Sequence, residues 1–130
     1  MFTLQHLDHI AITVSDLQRS KEWYCDVLGM VHEFPGLWEG VPVMLSLGAT
    51  FIALFPAQNG AMAVTPLPPI RVAHFAFRAD YPNFEAAQQS LTAKGIAFQF
   101  QDHDISHSIY FSDPDGHRLE ITTYDLPQKP

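Results

Sequence analysis

The chain predicts an α+β protein: two tandem βαβββ modules that form a cupped mixed sheet with helices on its outer face. Three observations carry that expectation. Residues 7–14 read Leu-Asp-His-Ile-Ala-Ile-Thr-Val and residues 72–79 read Val-Ala-His-Phe-Ala-Phe-Arg-Ala, so a His-apolar-Ala-apolar run begins at His9 and again at His74, 65 residues later in a chain of 130. Each run leads into a helix-like stretch closed by glycine, with Gly29 lying 20 residues after His9 and Gly95 lying 21 after His74. The segments after each glycine are short and joined by tight turns, which leaves no room for the repeated helical crossovers of a doubly wound parallel sheet.

Element by element, the alternation over 6–14 puts Asp8, Ile10, Ile12 and Val14 on one face and His9, Ala11 and Thr13 on the other. Ser15 and Gln18 form an S-x-x-Q capping pattern that opens a helix. Its inner stripe is Leu17, Tyr24 and Leu28, and Gly29 stops it. Strands follow at about 30–34, 41–47 and 50–55, punctuated by Pro35-Gly36, Gly40 and Gly48. Residues 57–69 contain Pro66, Pro68, Pro69 and Asn59-Gly60 and read as a connector. It joins a first module of about 1–56 to a second of about 70–126 within a single domain, 1–130. The second module repeats the order. A strand at 70–79 leads to a helix near 83–94 with Asn83 as cap and Phe84, Ala87 and Leu91 on its buried stripe. Strands at about 96–101, 106–112 and 117–123 complete it, the last two joined by the turn sequence Asp113-Pro114-Asp115-Gly116.

Bulk properties exclude several function classes. A net charge of −7, with Lys and Arg scattered, argues against nucleic acid and against an anionic membrane surface. No apolar run approaches the roughly 20 residues that span a bilayer, and no basic, apolar leader precedes the first strand. Cys25 is the sole cysteine, so an intrachain disulfide is impossible and a reducing, cytoplasmic setting is expected. The chain holds no G-x-S-x-G elbow, phosphate-cradling glycine loop or C-x-x-C pair.

Alternation then sorts the chemistry. Phe75, Phe77, Ile109, Phe111, Leu119 and Ile121 point toward the helix layer, leaving Ser108, Tyr110 and Glu120 to share the opposite face with His9 and His74. Two neutral imidazoles and a carboxylate are a ligand set that binds Fe(II), Mn(II), Zn(II) or Ni(II) on one side and leaves positions open for substrate. A lone strand histidine is more often structural than a ligand. Repetition at matched places in both modules, with Glu120 on the same face, turns that balance.

In these residues the chain resembles the vicinal oxygen chelate superfamily, which includes glyoxalase I, type I extradiol dioxygenases, fosfomycin-resistance thiol transferases and bleomycin-resistance proteins. The likeness rests on Asp8-His9-Ile10-Ala11, Ser15-Asp16-Leu17, Trp23-Tyr24 and Leu28-Gly29, on His74-Phe75-Ala76-Phe77, and on the run from Ile109-Tyr110 through Asp113-Pro114-Asp115-Gly116 to Glu120. It implies paired modules around one divalent metal held by His9, His74 and Glu120, and a homodimer. The apolar strands at 41–47 and 50–55 point to a dimer as well. Glyoxalase I has a fourth protein ligand, and counting 25 residues from each glycine matches Glu120 to Leu54, which cannot ligate. The fosfomycin transferases carry a threonine two residues after the first histidine and basic residues before the final hairpin. Here those places hold Ala11 and the acidic run Asp102-His103-Asp104. Extradiol dioxygenases place a tyrosine ten residues before the ligand glutamate, as Tyr110 stands before Glu120.

The expected function is metal-dependent lyase, isomerase or extradiol-type dioxygenase chemistry on a small, oxygen-chelating, partly hydrophobic substrate. Tyr110 is the candidate catalytic residue, and Ser108, Ala11 and Leu54 are candidate substrate contacts. The alternative is a non-catalytic binder that sequesters a small molecule. His103, His107 and His117 read as surface histidines near turns, with His107 the exception closest to the site. Asp113 and Asp115 read as turn residues rather than a catalytic pair.

Overall fold

Local sequence chemistry sets where each element begins in the computed structural model, which describes residues 1–57 and 71–127. The chain divides into two compact units, Met1–Val64 and Thr65–Pro130. In the first, strand β1 (Ile10–Val14) precedes helix α1 (Leu17–Leu28), then β2 (Val31–Glu33), a short 3-10 segment (Leu37–Gly40), β3 (Val43–Leu47) and β4 (Thr50–Pro56). In the second, β5 (Phe75–Arg78) precedes α2 (Tyr81–Ala93), β6 (Gln99–Asp102), β7 (His107–Ser112) and β8 (Arg118–Thr123). Each unit is therefore βαβββ with its own four-stranded sheet, ordered β1-β4-β3-β2 and β5-β8-β7-β6. Most of the expected proline-rich connector lies outside the described residues.

Both sheets are mixed in the same way. The first strand pairs parallel with the last, and the other pairs are antiparallel. The parallel pair follows from the helix between β1 and β2, which lets the chain leave the sheet and return with its direction reset. α1 packs against β3 and β4, and α2 packs against β8. Period-two alternation then divides each sheet. In the first unit Val14, Val43, Leu45, Ile52 and Leu54 are buried together with Tyr24 of α1. In the second, Ile109, Phe111, Leu119 and Ile121 are buried with Phe84 and Leu91 of α2. At about 1.5–3 kcal/mol per fully buried aliphatic or aromatic side chain, these two cores dominate the favourable side of folding.

Helix boundaries differ from the sequence reading by a residue or two, for one reason. The carboxylate of Asp16, rather than the hydroxyl of Ser15, accepts the Arg19 backbone N–H at 3.0 Å and caps α1. Ser15 instead accepts from the Arg19 guanidinium at 2.8 Å. Likewise Asp80, not Asn83, caps α2 by accepting the Asn83 backbone N–H at 2.9 Å. A carboxylate outcompetes a neighbouring neutral side chain here because it is also favoured by the positive end of the helix dipole. Gly29 ends α1 at φ 71°, the left-handed conformation that costs glycine nothing. Strands β1 and β5 are shorter than the alternating runs that predict them. Residues 1–9 and 71–74 lie in no regular element, so both His9 and His74 stand just before their strands.

Candidate metal centre and its acid-base neighbours

The second unit assembles most of the expected site from three adjacent strands. β8 pairs parallel with β5, setting Glu120 beside Ala76, and antiparallel with β7, setting Glu120 beside Tyr110. His74, two residues before Ala76, shares that face, and its Nε2 lies 3.0 Å from Glu120 Oε1. Glu120 is buried, and a buried carboxylate needs partners to offset its lost hydration. The fully buried Ser108 hydroxyl donates to its second oxygen, Oε2, at 2.8 Å. Ser108 also lies 3.0 Å from Thr122 Oγ1, and Thr122 donates to the His107 carbonyl at 3.3 Å. The carboxylate is thus held by one edge, with the other presented beside an imidazole nitrogen.

Tyr110 completes this face. Its ring meets His74 edge-on, with centroids 5.7 Å apart, and the Arg118 guanidinium lies 5.1 Å above its centroid. Burial, then the negative charge of Glu120 and a hydrogen bond to it, hold the phenol above its ordinary pKa, while Ser108 and Arg118 pull the other way. Its hydroxyl shares a 3.0 Å hydrogen bond with His103 Nε2. The sequence reading placed His103 on the surface and named His107 as the histidine nearest the site. The structure reverses them. His107 lies in β7 with the parity of Ile109, turns toward Phe100 at 5.1 Å between ring centroids, and has Nε2 3.5 Å from Asp102 Oδ1. His103 follows β6, and the turn closed by its N–H to the Ser106 carbonyl at 2.9 Å folds it back over Tyr110. Strand parity cannot locate a residue in a turn, so only the polar Asp102-His103-Asp104 run ahead of Ser108-x-Tyr110 could have signalled it.

The first unit carries the remaining expected residues. His9 has Nδ1 2.8 Å from Asp8 Oδ2, which keeps the proton on Nδ1 and leaves the Nε2 lone pair available. Ala11 is exposed in β1. Leu54 requires correction. In the second unit Glu120 is in register with Ala76, two residues after His74, and in the first unit the residue in register with Ala11, two after His9, is Ala53. Counting from the glycines lands one residue late because His9 and His74 stand at different distances from them. Leu54 pairs with Ile12 and Val43 and is fully buried in the core, so it is placed to stabilise the fold and not to touch substrate. Alanine ligates no better than leucine, so the missing fourth ligand stands. The turn reading of Asp113 is correct: its Oδ1 accepts the N–H groups of Asp115 at 2.9 Å and His117 at 2.8 Å.

Donor chemistry fits a divalent transition metal. An imidazole nitrogen and a carboxylate oxygen converge in one unit, and a second imidazole with a free Nε2 stands at the matching place in the other. Within each unit, the described residues contain no set of three or more such side chains around one point.

Comparison with known proteins agrees with the geometry. Residues 6–121 match the family described as the Glyoxalase/Bleomycin resistance protein/Dioxygenase superfamily. The chain is 31% identical over 118 residues to the glutathione transferase FosA of Serratia marcescens, covering 91% of this chain and 80% of that protein. It is 29% identical over 119 residues to the catechol-2,3-dioxygenase of Bacillus subtilis, covering 89% of this chain but 40% of that larger protein. Among solved structures, the lactoylglutathione lyase of Agrobacterium tumefaciens superimposes with a TM-score of 0.70 at 26% identity, covering 92% of this chain and 94% of that one.

Proposed function

We propose that this chain, which belongs to the Glyoxalase/Bleomycin resistance protein/Dioxygenase superfamily, is a divalent-metal-dependent enzyme acting on a small, oxygen-chelating, partly hydrophobic organic molecule. The observation that carries the proposal is the His74–Glu120 pair at 3.0 Å, braced by Ser108 and flanked by Tyr110 and His103. His74 and Glu120 hold the ion, with His9 as third ligand, supplied by the same chain or by a second copy. Fe(II), Mn(II), Zn(II) and Ni(II) all suit two imidazoles and a carboxylate. When bound, such an ion serves as a Lewis acid that chelates two substrate oxygens.

The chain's own residues supply the rest. Ser108 fixes the Glu120 carboxylate so that Oε1 keeps its direction. Tyr110 keeps a proton at Oη in neutral solution, because its pKa is raised, and can donate it to a substrate oxygen. His103, 3.0 Å from that oxygen, is placed to return the proton. Proton delivery beside a chelated oxygen suits lyase, isomerase or extradiol-type dioxygenase chemistry.

Likeness to FosA favours a second reading, thiol transfer to a phosphonate. Ala11 and the acidic Asp102 and Asp104 weigh against it, since a phosphonate dianion calls for several converging cationic donors. A sequestering binder without chemistry is the remaining alternative. Side-by-side assays of the metal-loaded protein with methylglyoxal plus glutathione, fosfomycin plus thiols, and a catechol series under oxygen separate these readings. We expect slow methylglyoxal turnover and none of fosfomycin. Rapid fosfomycin turnover contradicts the charge argument, and a protein that takes up no metal is a binder. Homodimerisation belongs to the same proposal. It is supported by Phe34, Leu37, Trp38 and Val41, apolar side chains clustered along the chain and each at least 41% exposed. A sedimentation mass of one chain would contradict it. Among the described residues no helix is long and apolar enough to cross a membrane.

A further inference from the structure

Arg118 is the first residue of β8 and shares the face of Glu120 two residues on. Its guanidinium lies 5.1 Å from the Tyr110 ring centroid, and among the described residues no carboxylate pairs with it. Stacking on a ring occupies the guanidinium's flat face and leaves its edge N–H donors free, oriented and poorly hydrated. Those donors open on a groove of about 390 Å³, lined by Arg118, Tyr110, Gln99 and Ser112 on the polar side and by Ile96 and Phe98 on the apolar side. Asp113, the nearest acid along the chain, has Oδ1 committed to the backbone N–H groups of its own turn. Asp102 and Asp104 stand at the opposite end of the β6–β7 pair, since Asp102 is in register with His107 while Gln99 is in register with Tyr110. The groove therefore has one positive end, apolar walls, and Tyr110 as a shared wall with the metal pair.

We infer that Arg118 is the anion-reading residue of this groove, and that the substrate is an organic monocarboxylate whose ring-bearing or alkyl body lies along Ile96 and Phe98. The inference deepens the proposed function by naming its substrate class, and it rests on that reading for the claim that the bound molecule is a substrate. One guanidinium offers the two parallel N–H donors that a carboxylate accepts, whereas a dianion calls for more.

The test titrates the full chain, metal-free and zinc-loaded, with benzoate, methyl benzoate and phenylphosphonate, following the Arg118 Nε–H resonance by NMR and affinity by calorimetry. Benzoate should shift that resonance in both forms. Methyl benzoate should bind about tenfold more weakly, the loss expected for one charge-assisted hydrogen-bonded pair. Phenylphosphonate should bind no more tightly than benzoate. Arg118→Gln should lose about tenfold in benzoate affinity with methyl benzoate unchanged, and Arg118→Lys should recover part of it. Arg118 is exposed, so the melting temperature of both variants should stay near wild type. No benzoate binding, equal binding of acid and ester, or equal benzoate affinity in wild type and Arg118→Gln would each overturn the inference. Metal uptake without an Arg118 effect leaves the proposed function standing and removes this substrate class. Arg118-dependent benzoate binding by a chain that takes up no metal does the reverse.

Discussion

Replacing Ser108 with alanine removes one oxygen from a fully buried position, and its consequences can be worked from the contacts it loses. The hydroxyl donates to Glu120 Oε2 at 2.8 Å and lies 3.0 Å from Thr122 Oγ1. Alanine leaves almost no cavity, so the cost is electrostatic rather than steric. A hydrogen bond to a charged group contributes roughly 1.5–3 kcal/mol net, and its loss leaves a buried carboxylate oxygen unsatisfied. In the metal-free protein that cost falls on stability, or is relieved by protonation of Glu120. In the metal-loaded protein it falls on the ligand's orientation, where loss of a supporting hydrogen bond typically weakens metal binding by about 10–100-fold. The assay is a competition titration of zinc against a chromogenic chelator, run beside thermal denaturation of the metal-free protein. Ser108→Ala should bind zinc at least about tenfold more weakly while keeping its fold and dimer mass. Unchanged zinc affinity would refute the idea that Ser108 positions Glu120 for ligation.

Two further outcomes test the rest of the site. Tyr110→Phe should leave metal affinity near wild type yet lower turnover by about 10²–10⁴-fold, the range for loss of a general acid. His103→Ala should reproduce part of that loss and alter the pH profile, whereas an unaltered profile would mean that the 3.0 Å contact is only structural. Leu54→Ala should cost about 2–5 kcal/mol in denaturant unfolding because it empties a fully buried site, without changing the relative rates for different substrates. A changed substrate preference at constant stability would return Leu54 to the substrate wall.

Order and type of the elements are legible in the chain because period-two runs, Gly29 and the Asp-Pro-Asp-Gly turn each act locally. Faces are legible for the same reason. Ile109, Phe111, Leu119 and Ile121 alternate cleanly with Ser108, Tyr110 and Glu120, and alternation alone places the two sets on opposite sides of a sheet. What failed needed information that alternation lacks. Matching Ala53 rather than Leu54 to Glu120 depends on interstrand register, which a count from a helix-ending glycine carries only to within a residue. His103 depends on how a turn folds over the sheet, and Arg118 on a ring contact made across strands. The caps at Asp16 and Asp80 were missed because several residues at each helix start could serve, and only the folded backbone shows which one reaches the N–H.

Metal stoichiometry tests the central claim most directly. Wild-type chain, His9→Ala, His74→Ala and Glu120→Ala are saturated with zinc, freed of unbound ion and measured by elemental analysis, with circular dichroism checking the fold. The account predicts about one tightly held ion per chain in wild type, the occupancy of a single catalytic metal site, and its loss from each variant with the βαβββ units intact. Equal metal content in wild type and all three variants would contradict it.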